Sequence, residues 1–182
     1  MAKIDDKKQS VSSSKYPNYH SITFSYASFS NPFTKANVKV GEQSFNTWST
    51  WHLIPTTRPM IVQPTPVYTY VDIPGADGSL DLTDYLIGRP TYSDRSGTFE
   101  FYVTNVDLSS GGDSWPNRRT QISKVLDGKL MKISLDDDKD YYYVGRCYLK
   151  QWTPGPNYSQ VTIEYRVEPF KYYKDGTKSG VL

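Results

Sequence analysis

Few of this chain's side chains are of the kinds that usually carry catalysis or hold a metal. The histidines are His20 and His52, and the lone cysteine is Cys147. The two histidines form no H-x-x-x-H pair and share no Cys/His ligand spacing, so a zinc site lacks its donors, and no metal or cofactor is expected. Cys147 alternates with Arg146 and Tyr148 in a strand-like stretch. It reads as a small hydrophobe in a packed face rather than as a nucleophile. No G-x-S-x-G, Walker loop or G-x-G-x-x-G occurs. What remains is the acidic run Asp136-Asp137-Asp138-Lys139-Asp140. Clustered carboxylates can bind Ca²⁺, and a pair of them can cleave a glycosidic bond. This run lacks the glycine and spaced ligands of a calcium loop, and no spacing singles out an acid/base pair. It falls between two strand patterns, so a solvated hairpin turn is the plainer reading, and an enzyme is not expected. An acidic rim facing a lumen, made by Asp136, Asp137, Asp138 and Asp140, is the other reading left open should the protein form a ring.

The second conspicuous class is aromatic: 16 Tyr, 7 Phe and 4 Trp make 15% of 182 residues, against 37% for all hydrophobics. Tyr and Trp have apolar bodies and polar tips, so they suit a half-wet core or a contact surface equally well. Tyr141-Tyr142-Tyr143 must point to both faces of a strand, and Trp48 and Trp51 flank a loop-like stretch ending at Pro55. Trp48, Trp51, Tyr141 and Tyr143 are therefore candidate contact residues. Outward aromatics would serve either a protein interface or a platform for stacking sugars.

The elements that must position these residues are strands. Val161, Ile163, Tyr165 and Val167 alternate with Thr162, Glu164 and Arg166; Phe99, Phe101 and Val103 do so within Gly97–Val106, and Met131, Ile133 and Leu135 within Lys129–Leu135. Tyr141–Leu149 adds another strand, and Ile22–Tyr26 and Val38–Val40 add short ones. Val67–Ile73 alternates too, and Pro74-Gly75-Ala76-Asp77-Gly78 turns it back into Leu80 and Leu82. A single helix is predicted over about 114–127, capped by Ser114, with Pro116 in its first turn, an Ile122, Val125, Leu126 stripe, and Gly128 as its stop. The fold class is mainly β: an antiparallel sandwich or barrel-like domain over 20–174 with one short helix against it. Residues 1–19 are polar and aperiodic and read as an extended arm, and 175–182 as a tail.

Length and charge exclude some functions. A chain of 182 residues is about one domain. With 21 Lys+Arg against 19 Asp+Glu the net charge is +2, without the basic excess of a protein that grips nucleic acid. No apolar run approaches the ~20 residues of a membrane span, and the N-terminus has no signal-like core. A soluble chain that folds inside a cell is expected, since a single cysteine cannot form an internal disulfide.

Taken together, these blocks resemble the distal tail proteins of long-tailed bacteriophages and related prophages. The similarity runs through Asn46-Thr47-Trp48, Trp51-His52-Leu53-Ile54-Pro55, Arg58-Pro59, Tyr70-Val71-Asp72-Ile73-Pro74-Gly75-Ala76-Asp77-Gly78 and Leu80-Asp81-Leu82-Thr83. It continues through Arg95-Ser96-Gly97-Thr98-Phe99-Glu100-Phe101, Leu126-Asp127-Gly128-Lys129, Met131-Lys132, Asp136-Asp137-Asp138, Tyr141-Tyr142-Tyr143, Gly145-Arg146 and Pro169-Phe170-Lys171-Tyr172.

The resemblance implies a structural component of the virion tail tip or baseplate, assembled in the bacterial cytoplasm. It would be a β-rich hub domain that closes into a ring, typically a hexamer of itself. The partners implied are the tail tube protein on one side and a tail-associated lysin or tail-fibre hub protein on the other, with the tape-measure protein as a further candidate. DNA would pass through the lumen only in transit. The chain stops ten residues past Tyr172, which implies a hub-only form without a second, carbohydrate-binding domain. The lead-in before Asn46 is longer than the family pattern, which suggests an extra hairpin or arm reaching a neighbour. The competing reading is a β-sandwich carbohydrate-binding or receptor-binding module.

Overall fold

Ser159, Val161, Ile163, Tyr165 and Val167 are buried and the residues between them are not, so the alternation visible in the sequence decides which face of this strand meets the core. The strand belongs to a computed structural model that describes residues 20–31, 36–85, 88–104 and 115–174. In chain order the elements are β1 (Ile22–Asn31), β2 (Ala36–Asn46), β3 (Ile54–Pro55), β4 (Pro66–Val67), β5 (Tyr70–Asp72), β6 (Ser79–Asp81), β7 (Thr91–Tyr92) and β8 (Arg95–Thr104). Helix α1 (Trp115–Leu126), β9 (Leu130–Leu135), β10 (Tyr141–Pro154), β11 (Tyr158–Val167) and β12 (Tyr172–Tyr173) follow.

The main sheet runs β2-β1-β9-β10-β11-β8-β3, with β12 added on β10, and all its pairings are antiparallel. Its terminal strands β2 and β3 do not pair with each other, so the sheet is not a closed barrel. The layering is sandwich-like and mainly β, with one short helix. One face of the sheet meets the helix and the segment Trp51–Ile61 around a single core, in which Phe24, Leu53, Phe101, Ile122, Leu126, Ile133 and Ile163 are fully buried. A smaller cluster of Tyr142, Val144 and Tyr172, flanked by Leu130, forms separately from it.

Helix α1 falls inside the predicted span. Ile122 and Leu126 are fully buried and Val125 packs beside them. Gly128 takes a left-handed φ of 64°, its N–H bonds Cys147 O at 3.0 Å, and Arg146 Nη1 donates to Gly128 O at 2.7 Å. The glycine stop thereby also fastens the helix end to β10. The predicted cap Ser114, the arm 1–19 and the tail 175–182 lie outside the described residues.

The Asn46-Thr47-Trp48 block has a local cause. Asn46 Oδ1 accepts the N–H groups of Trp48 and Ser49, both at 2.9 Å, and so caps a single helical turn. His52 closes that turn at φ 54°, and Leu53 N–H reaches back to Thr47 O at 2.8 Å. Thr47 Oγ1 accepts Ile22 N–H at 3.0 Å, which ties the turn to the start of β1. Trp51 and Leu53 are thus swung into the core.

One expectation is corrected here. Val67–Ile73 is not one strand: it divides into β4, paired with β7, and β5, paired with β6, neither joined to the main sheet. Its alternation does not mark a core face either, because every residue from Val67 to Asp81 is exposed.

Candidate subunit interface

Trp51, expected between subunits, is 1% exposed. Its ring stacks on Phe45 at 6.0 Å and 9° and lies 6.0 Å from Phe24. Tyr143 is buried as well, beneath Arg95, whose guanidinium carbon is 5.3 Å from the ring centre. Burial raises the pKa of its phenol, with the Lys171 and Arg95 charges opposing. For these two residues the interface expectation is corrected: their own chain already surrounds them. Trp48 and Tyr141 are only half-buried. Tyr141 lies 5.0 Å from Tyr173 and 4.9 Å beneath the Lys171 ammonium, and its bond with Tyr173 raises its pKa.

The acidic run forms the β9–β10 turn, as read, but three of its four carboxylates are engaged within the chain. Asp136 accepts the N–H and hydroxyl of Ser21. Asp137 accepts Arg58 Nε at 2.7 Å and Nη2 at 3.1 Å, and meets His20 Nδ1 at 2.9 Å. Asp138 accepts Lys171 Nζ at 2.6 Å. Only Asp140 has an exposed side chain with no ion pair among the described residues. The turn is therefore a knot that joins the entry to β1, the Arg58 loop and the chain after β11. Among the described residues no three His, Cys, Asp or Glu side chains are grouped as a metal site. Cys147 is fully buried.

The exposed apolar surface lies elsewhere. Met60 is 72% exposed and Tyr85 81%, and Tyr68, Tyr70, Val71, Ile73 and Leu80 between them are all exposed. Strands β5 and β6 pair with each other in the register Tyr70↔Asp81, Val71↔Leu80, Asp72↔Ser79. Gly75 and Gly78, at φ 84° and 83°, turn the chain between them. One face therefore carries Val71 and Leu80 and the other Tyr70 beside Asp81, with Tyr68 at 6.2 Å from Tyr70. A two-stranded hairpin is marginal in water, and this one exposes Val71 and Leu80 on one face and Tyr70 among polar neighbours on the other, which marks a surface suited to being covered. A signal for it is present in the composition, since Val67–Gly88 contains four aspartates and no Lys or Arg to shield its tyrosines.

On the back of the main sheet a groove of about 640 Å³ runs across β1, β9, β10 and β11. Val144 and Leu130 floor it, and Arg146, Arg166, Asp94 and Glu168 rim it. Glu168 accepts the Tyr172 hydroxyl at 2.6 Å, and Asp94 pairs with Arg166 at 3.0 Å. Farther along, Tyr102 and Tyr158 form an outward edge-to-face pair at 5.1 Å, and Tyr148 is exposed elsewhere on β10.

No protein-family model matches the sequence, and no curated protein matches it. Among solved structures the chain is similar to the Dit (gp 19.1) protein of phage SPP1, described as a paradigm of the hub adsorption apparatus in phages that infect Gram-positive bacteria. The two are 17% identical with a TM-score of 0.49, and the match covers 66% of this chain and 46% of that one. The chain thus spans less than half the length of the SPP1 protein.

Proposed function

We propose that this chain is a non-enzymatic virion protein that closes into a ring, hexameric by family resemblance, at the distal end of a phage tail. There it joins the tail tube to the tail-fibre or tail-lysin hub around a lumen through which DNA passes. The observation that carries the reading is the β5–β6 hairpin, which exposes Val71 and Leu80 on one face and Tyr70 on the other. Head-to-tail closure needs two different patches on each subunit, each burying on the order of 800 Å² per partner. A projecting arm supplies such area without enlarging the core. The near-neutral charge suits a conduit that lets DNA move without holding it. Mass photometry and negative-stain microscopy of the purified chain test the reading. Particles of hexamer mass with a central hole are expected, and a strict monomer at high concentration overturns it.

A glycan-binding module is the second reading, favoured by the outward Tyr102, Tyr148 and Tyr158 on the sheet. A monomer giving a glycan-array signal that disappears with Tyr102→Ala and Tyr158→Ala would establish it instead.

A further inference from the structure

Helix α1 gives only part of its surface to the core. Arg118, Ile122 and Leu126 are buried, and the outer side carries a hollow of about 380 Å³ lined by Trp115, Pro116, Arg119, Thr120, Ser123 and Lys124. Its apolar end is the half-buried Trp115, stacked on Trp152 at 6.2 Å, beside the exposed Pro116. Arg119 and Lys124 are exposed and form no ion pair among the described residues. The helix contains no Asp or Glu, and with Asp127 counted beyond its end the stretch 115–127 still holds three cations against one acid. The groove on the back of the sheet differs. There Arg146 faces Arg166 across β10 and β11, but Asp94 and Glu168 line the same groove and balance the two charges. The hollow on α1 has cations and no carboxylate in its lining.

The β5–β6 hairpin carries the opposite charge, with four aspartates and no Lys or Arg across 67–88. Tyr70, Asp72, Ser79 and Asp81 share one face by register, and all four are exposed. Asp72 accepts the Ser79 hydroxyl at 2.6 Å and Asp81 the Thr83 N–H at 2.9 Å, and neither enters an ion pair among the described residues. Two such hairpins would repel each other, so what covers this face must be positive. The spacing agrees with α1 as well. Asp72 and Asp81 are diagonal cross-strand neighbours, about 7–8 Å apart, and Arg119 and Lys124, five residues apart, are separated by about 7.5 Å along the helix axis. An acidic arm with a tyrosine and a basic hollow with a tryptophan are two different patches of one chain, which is what a heterologous contact requires.

We propose that the Tyr70/Asp72/Asp81 face of the hairpin docks on the outer side of α1 of the next copy, with Tyr70 against Trp115 and Pro116 and the two carboxylates beside Arg119 and Lys124. This rests on the ring reading above and specifies its contact. Charge exchange followed by mass photometry tests it. Reversing the hairpin charges with Asp72→Lys and Asp81→Lys, or the helix charges with Arg119→Glu and Lys124→Glu, should raise the concentration needed for half-assembly at least tenfold, and combining the two reversals should restore most of the loss. Thermal melting of each variant controls for folding. If either reversal lowers the melting temperature, the neutral sets Asp72→Asn with Asp81→Asn and Arg119→Gln with Lys124→Gln replace them, the asparagine oxygens still accepting from Ser79 and Thr83. Each neutral set should weaken assembly, and the two together should cost no more than either alone. Rings that form normally in the single sets, reversals that the combination does not rescue, or neutral sets whose losses add in full overturn this contact and leave the ring reading standing. A wild-type chain that remains monomeric overturns both.

Discussion

The phenol of Tyr165 lies across its cross-strand partner Gly97, so close that a methyl group on Gly97 would sit 2.5 Å from the hydroxyl and 2.8 Å from the ring carbon that bears it. Tyr165 is buried, stacks on Phe99 at 4.5 Å, and accepts Val62 N–H at 3.1 Å, so it cannot move aside freely. The glycine in Arg95-Ser96-Gly97 is there to let the ring reach the Met60–Val62 segment. Arg95 works on the same segment from within the core: it donates to Val62 O at 3.3 Å and to Pro169 O at 2.8 Å. Gly97→Ala is expected to lower unfolding stability by about 1–3 kcal/mol through overpacking, measured by urea denaturation. An unchanged midpoint would mean that the ring has room to shift.

Cys147 is fully buried in β10, and burial alone pushes its thiol up to about 12. A thiolate is the reactive form, so a disulfide reagent at pH 8 should leave the native chain unmodified and label it at once in denaturant. Rapid labelling of the folded chain would show that β10 opens locally.

Where burial is one-sided and local, the sequence was easy to read. The alternation of β8, β9 and β11 and the stripe of α1 each report contact with one core, and these elements lie where expected. Val67–Ile73 alternates just as well but is exposed throughout, because periodicity records the geometry of a strand and not what covers it. Trp51 and Tyr143 misled for a related reason. Aromatics in a loop-like stretch or a Tyr run look like surface anchors, and only the Asn46-capped turn and the Arg95 guanidinium reveal that they point inward. The Arg146–Arg166 pairing was invisible for want of register: the two residues are distant in sequence and become neighbours only when β10 meets β11.

Asp137 gives a pH dependence. Its hydrogen bonds from Arg58, and then those from His20, hold its carboxyl down at about 2 in the folded chain, against an ordinary 3.8, despite some opposing desolvation. A carboxylate with a depressed folded pKa stabilises fully above the ordinary value. That contribution is lost as the pH falls from there through about 2. Arg58 is mostly exposed, so the gain is screened and small, on the order of 1 kcal/mol or less. Asp137→Asn should cost that much at pH 7 and nearly nothing at pH 2, in parallel urea titrations. An equal loss at both pH values would assign the effect to packing rather than charge.

Ile163 and Leu80 are both apolar and both in strands, yet they should respond in opposite ways to a polar substitution. Ile163 is fully buried at the centre of β11, so Ile163→Asp places an unpaired charge in the core and should prevent folding, read as loss of near-ultraviolet dichroism. Leu80 and its partner Val71 are 47% and 44% exposed, so Val71→Ser with Leu80→Ser should leave the melting of a single chain within about 0.5 kcal/mol of wild type. The same double substitution removes apolar area from the second face of the arm. If that face is covered by a neighbour, assembly should weaken while the fold persists, read by mass photometry against concentration. Assembly unchanged by the substitution would mean that this face meets no neighbour. Loss of folding would instead mean that the hairpin is packed against its own chain.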